Sequence, residues 1–191
     1  MQSRYIQTCG LNHSWKTTFG RALQKQLSPS IVLDNDERRL FAEKHYADLY
    51  EATKELRTFD TENVYKDNMK RFFIRQMIAY SLTNQVSVIH ASCNMYKQQR
   101  QALGAYARAQ GAKIALIYFN IDRDIIFQRA SQAGLHKNEA LYGKSFIHNL
   151  EKMIAHFEHP DPHEGDLFLE VTQPELFEAY QQELLERMER I

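Results

Sequence analysis

Gly10-Leu11-Asn12-His13-Ser14-Trp15-Lys16-Thr17-Thr18 has the spacing of a loop that holds phosphate. In that pattern a first Gly is followed, after four residues, by Gly-Lys-Ser/Thr. Consecutive backbone N–H groups then point inward at a helix start, where the donors and the helix dipole hold β- and γ-phosphates. Lys16 would reach the same oxygens, and the Thr17 hydroxyl would hold Mg²⁺. Gly10, Lys16 and Thr17 stand where the pattern requires them, but Trp15 occupies the place of the second Gly. That glycine normally lets the backbone approach phosphate in unusual dihedrals. A large side chain there is expected to need ordinary φ and ψ, with the indole turned away from the phosphates. His13 is a second bulky group in the loop, able to donate to a phosphate oxygen or to cover the site. The nucleotide-binding set read here is Gly10, Asn12, His13, Ser14, Trp15, Lys16, Thr17 and Thr18, with ATP and Mg²⁺ as ligands.

Such a loop needs a strand before it and a helix after it. Five segments read as buried strands: 5–9, 31–34, 86–90, 113–119 and 167–171. Their β-branched and aromatic content, with little polar alternation, suits a parallel sheet covered on both faces. Helical patterns lie between them, at 16–27, 62–83, 97–110, 124–132, 143–156 and 174–191. In the first, Phe19, Leu23 and Leu27 recur at helical spacing; in the second, Met69, Phe72, Phe73, Met77 and Ile78 mark one side. Pro174 suits the first position of the last helix. Repeated strand–helix alternation predicts one α/β domain over residues 1–191 with right-handed crossovers. Ligands in such sheets bind beyond the carboxyl ends of the strands. The loop, Asp36, Ser92 and Asn94 all fall there.

Composition narrows the classes. Apolar residues make up 43% of 191, enough for a core. No apolar run reaches the roughly 18 residues of a membrane span. The N-terminus lacks the basic stretch and apolar core of a signal peptide, so a cytoplasmic protein is expected. Twenty-four basic and 24 acidic residues cancel, which does not support a broad nucleic-acid surface. Cys9 and Cys93 lack metal-ligand spacing and read as reduced thiols.

Two further blocks extend the motif: Val32-Leu33-Asp34-Asn35-Asp36-Glu37-Arg38-Arg39, a strand followed by D-x-x-R, and His156-Phe157-Glu158-His159-Pro160-Asp161-Pro162-His163-Glu164-Gly165 before the last strand. With these, the chain resembles the P-loop kinases of the polynucleotide-kinase type, a group that includes many small predicted ATP-dependent kinases. The resemblance implies a three-layer α/β sandwich, with a five-stranded parallel sheet in order 2-3-1-4-5 and a helical lid near 123–144. It implies transfer of the ATP γ-phosphate to a hydroxyl. Asp36 would activate that hydroxyl and Arg39 would position the acceptor. Arg129 would hold the ATP phosphates with Lys16, and Ser92 and Asn94 would line the substrate pocket. On the third strand His90 stands where relatives carry an acid, and reads as a hydrogen-bonded core residue. The acceptor stays open among a nucleoside, a nucleic-acid end and a small metabolite. A kinase-like nucleotide-binding or regulatory protein with weak or no catalysis is the alternative.

Overall fold

The computed structural model describes residues 2–34, 72–132 and 146–191. Its strands are β1 (Arg4–Gly10), β2 (Ser30–Asp34), β3 (Ser87–Ala91), β4 (Lys113–Phe119) and β5 (Leu167–Val171). They form one sheet in the order β2-β3-β1-β4-β5, and every pairing is parallel. The described helices are α1 (Lys16–Gln26), α2 (72–83), α3 (Lys97–Arg108), α4 (Arg123–Gln132), α5 (Phe146–His156) and α6 (Phe177–Met188). This is the expected three-layer α/β architecture.

The period-2 alternation of strand side chains divides the core in two. Ile6, Ile89, Ile117, Phe119 and Leu169 face α1, α4, α5 and α6, where Phe19, Leu23, Ile126, Leu150 and Leu184 are buried against them. Tyr5, Val88 and Ile114 face α2 and α3, meeting Ile74, Ile78, Leu82, Leu103 and Ala107. Two buried layers explain why the strands read as continuous apolar runs. Phe19 anchors the first layer, edge-on to Phe119 at 5.3 Å and to Phe177 at 5.4 Å. Burying one such ring is worth about 1.5–3 kcal/mol, so α1 and the loop before it are held firmly on the sheet.

The stripe expected on α2 is corrected by the packing. Ile74, Ile78 and Leu82 are buried, whereas Phe72 and Met77 are exposed. The i, i+4, i+8 set wins because it alone faces Val88 and Leu103; Met69 lies outside the described residues. Pro174 opens a 3-10 turn, Pro174–Leu176, ahead of α6 rather than the α-helix itself.

Candidate nucleotide-binding site

The loop between β1 and α1 is shaped by its first glycine. Gly10 has φ +143, and a Cβ there would lie 2.8 Å from the Phe119 carbonyl oxygen. Its N–H donates to the Cys93 carbonyl at 3.1 Å, tying the loop to the end of β3. The chain then turns on Ser14, whose hydroxyl donates to the Leu11 carbonyl at 2.8 Å. Lys16 is buried, and its ammonium donates to Leu11 O at 2.5 Å and to Ser14 Oγ at 3.1 Å. The charge is therefore gathered inside the loop's curve. The first-turn N–H groups of α1, including those of Lys16, Thr17 and Thr18, have no partners within the helix and form the donor end.

Trp15 overturns the expectation of ordinary dihedrals. It is the N-cap of α1 with φ 60 and ψ 17, the left-handed region. Trp15 thus retains the backbone handedness that a glycine normally supplies there, while carrying a side chain. The indole faces α4, where the Arg129 guanidinium stacks on it with Cζ 3.8 Å from the ring centroid. Arg129 Nη1 also donates to the His13 carbonyl at 2.9 Å. Burial lowers the Arg129 pKa. His13 shares the left-handed backbone, with φ 64. Asn12 Oδ1 accepts from the Cys93 thiol at 2.8 Å.

The strand ends bring one unforeseen group to the loop. The Thr17 hydroxyl donates to Asp34 Oδ2 at 2.8 Å. Sequence reasoning placed Asp34 only within a strand; its position as the last residue of β2 was the available signal. His90 matches its expected core role, fully buried with Nδ1 2.8 Å from the Tyr5 hydroxyl. Ser92 and Asn94 are buried and brace β1. Ser92 exchanges backbone hydrogen bonds with the Thr8 hydroxyl, and Asn94 Nδ2 donates to the Thr8 carbonyl at 2.7 Å. Asp36 and Arg39 lie outside the described residues. Of the expected lid, 123–144, only α4 lies within them.

The segment before β5 is anchored by Arg100 of α3, a residue that the sequence singled out only as part of the helical span 97–110. Arg100 is 1% exposed. Nε and Nη2 grip the two oxygens of Glu164 at 2.8 and 3.0 Å. Nη1 donates to the carbonyls of Asn94, Met95 and Glu158. Glu164 also closes a capping box, accepting from the Asp161 N–H at 2.8 Å while Asp161 accepts from the His163 N–H. Burial pushes the Glu164 carboxyl up, but the hydrogen bonds from Arg100 and Asp161 outweigh it and hold it below the usual range. Gly165 follows because a Cβ there would lie 2.9 Å from the Leu167 carbonyl oxygen.

Above this anchor, Phe157 stacks on Tyr118 at 5.9 Å, and the Tyr118 hydroxyl lies 2.9 Å from His159 Nδ1. Burial pushes the Tyr118 phenol up to about 12. Cys9 lies beneath it in the same cluster, its thiol also pushed up to about 12 by burial. Both cysteines are free thiols. Among the described residues no group of three or more His, Cys, Asp or Glu is placed to hold a metal ion. No helix there is long and apolar enough to cross a membrane.

A parallel sheet in the order 2-3-1-4-5, with a glycine-initiated loop delivering a lysine and a threonine at the start of its first helix, defines a P-loop kinase-like nucleotide-binding fold. More particularly, residues 5–165 match the family model of the chromatin associated protein KTI12, and the chain belongs to that family. The expected kinase resemblance therefore holds for the fold, while the family is KTI12 rather than the polynucleotide-kinase type. No curated protein matches the chain in sequence. Solved structures agree on the fold. A Chloroflexus aurantiacus protein solved as a candidate kinase has TM-score 0.71 and 15% identity, with 99% of this chain and 97% of that chain covered. Chaetomium thermophilum Kti12, in complex with ADP-AlF3, has TM-score 0.61 and 15% identity, covering 95% and 97%. Mycobacterium tuberculosis APS kinase, in complex with AMPPNP and APS, has TM-score 0.63 and 13% identity, covering 98% of each.

Proposed function

We propose that this chain is a single-domain protein that binds MgATP at residues 10–18 and transfers the γ-phosphate to a hydroxyl. The observation that carries this reading is the Thr17–Asp34 pair, 2.8 Å apart beside the Lys16 loop. A hydroxyl and a carboxylate are the hard oxygen donors that Mg²⁺ prefers. The donor set fits the ion, and Asp34 supplies the carboxylate that His90 does not. Bound there, Mg²⁺ would neutralise charge on the β- and γ-phosphates. Lys16 would exchange its bonds to Leu11 and Ser14 for phosphate oxygens. The first-turn amides of α1 would hold the β-phosphate. Arg129 would face the terminal phosphate from α4. Asp36 is the proposed base and Arg39 its positioning partner; Ser92 and Asn94 would shape the acceptor side through Thr8. The relatives solved with ADP-AlF3 and with AMPPNP lend support by occupying this fold with nucleotide analogues.

A second reading, a kinase-like regulator that binds nucleotide without transfer, is favoured by His90. That residue is locked to Tyr5 and leaves β3 without an acid. Calorimetry with MgATP tests the shared step. Binding is expected in the parent, with a loss of at least about tenfold in Lys16→Met and in Asp34→Asn. No heat at millimolar nucleotide would sink both readings. Labelled ATP with nucleoside, oligonucleotide and metabolite acceptors then separates them, since only the kinase labels an acceptor.

A further inference from the structure

Trp15 stands in a backbone conformation that side-chain-bearing residues rarely adopt, at φ 60 and ψ 17. Such a conformation persists where the surroundings over-determine it, and it is concentrated at functional sites. This indole packs against the core cluster on α1's side of the sheet, and Arg129 lies over its face at 3.8 Å while donating to the carbonyl two residues before it. Two contacts of different kinds, one to a ring face and one to a carbonyl, fix the position of the guanidinium.

The helix that presents Arg129 is fixed too. Ile126 and Ala130, on either side of it in α4, are buried in the same core cluster as Phe19 of α1. Among the described residues, the hydrogen bond to His13 engages one of the five N–H donors of Arg129. Trp15 immediately precedes Lys16 and is followed two positions on by Thr17. The indole and the His13 carbonyl together hold the guanidinium against the loop that carries Lys16 and Thr17. A planar cation stacked on an aromatic face is pre-organised for phosphate oxygens; a lysine at 129 would lack both the plane and the fork.

Resting on the nucleotide-binding reading above, we infer that Trp15 is a positioning residue. Its indole takes the place of the second glycine in order to hold the Arg129 guanidinium against the phosphate loop. The ligand class it selects is a nucleoside triphosphate over a diphosphate, because the clamped guanidinium meets the terminal phosphate. Trp15 supplies no phosphate contact of its own; it acts through Arg129.

The test is a double-mutant cycle on Trp15→Gly and Arg129→Ala, with binding of magnesium AMPPNP and of MgADP measured by calorimetry. Each single variant should weaken AMPPNP about tenfold and change ADP by less than about threefold. The double variant should bind AMPPNP no more weakly than the worse single variant. Trp15→Phe, which keeps an aromatic face, should restore most of the discrimination. Trp15 is the chain's one tryptophan, so its emission reports the stack directly and should shift in ligand-free Arg129→Ala. Additive losses in the cycle, tighter AMPPNP binding in Trp15→Gly, or unshifted emission each overturn the inference while leaving nucleotide binding intact. A parent protein that binds neither nucleotide overturns the underlying reading and the inference with it.

Discussion

Arg100 and Glu164 form a bidentate ion pair sealed from solvent, with Nε to Oε2 at 2.8 Å and side chains 0% and 3% exposed. Through carbonyls of Asn94, Met95 and Glu158, the same guanidinium joins the loop after β3 to the segment before β5. Removing one partner of a buried pair strands the other charge, at a typical cost of about 3–5 kcal/mol. Arg100→Met and Glu164→Gln should each lower unfolding free energy by about that amount in urea titrations. Arg100→Met should be the more damaging, because it also leaves four carbonyls, those three and that of His159, without this donor. A loss below about 1 kcal/mol in both would contradict the anchoring role.

The same anchor gives the protein an acid limit. Asp166 is pushed up by burial, but the Ile114 N–H and Arg108 more than offset this and lower its pKa, as happens at Glu164. For carboxyls depressed by folding, the stabilisation is complete above the unfolded value of about 4 and is lost as pH falls through the folded values. Stability should therefore hold from neutral pH down to about pH 5 and fall progressively below pH 4. Thermal midpoints measured across this range should show a shallower acid loss in Glu164→Gln than in the parent.

Trp15 separates strain from contact in a measurable way. Trp15→Ala loses the stack on Arg129 while keeping a Cβ at φ 60, whereas Trp15→Gly loses the stack and relieves the backbone. The left-handed conformation costs a side-chain-bearing residue about 1–2 kcal/mol. The glycine variant should therefore be the more stable of the two by about 1 kcal/mol. Equal unfolding midpoints would argue against the left-handed backbone in solution.

The two cysteines should differ in reactivity. Cys9 is buried with a thiol pKa near 12, so it stays protonated and shielded at pH 8. Cys93 is partly exposed and bonded to Asn12 of the loop. A disulfide-exchange reagent should modify one thiol per native molecule and two after unfolding. Cys93→Ser should abolish the native reaction; persistence of that reaction would place Cys9 within reach of solvent.

Much of the scaffold was legible along the chain. The spans expected for β4 and β5 coincide with the observed ones, and the other strands differ by one residue at one or both ends. Strands buried on both faces produce apolar runs whose limits are visible locally, and the spacing of Gly10, Lys16 and Thr17 marks the loop regardless of what folds around it. The α2 stripe was misjudged because periodicity gives an angle around a helix but not the face that meets the sheet. Pairings between distant residues were beyond local reading. His13 and Arg129 are 116 residues apart, and Arg100 and Glu164 are 64 apart. They meet because the crossovers of a parallel sheet bring successive strand ends to the same side, placing loop, strand end and helix side by side. Residue order alone carried the α/β pattern and a loop with phosphate-loop spacing in which an indole stands for the second glycine. The partner of that indole came from the packed fold alone: its left-handed backbone stands with a guanidinium from α4 across its face, and that contact exists only once the sheet has closed the distance between β1 and β4.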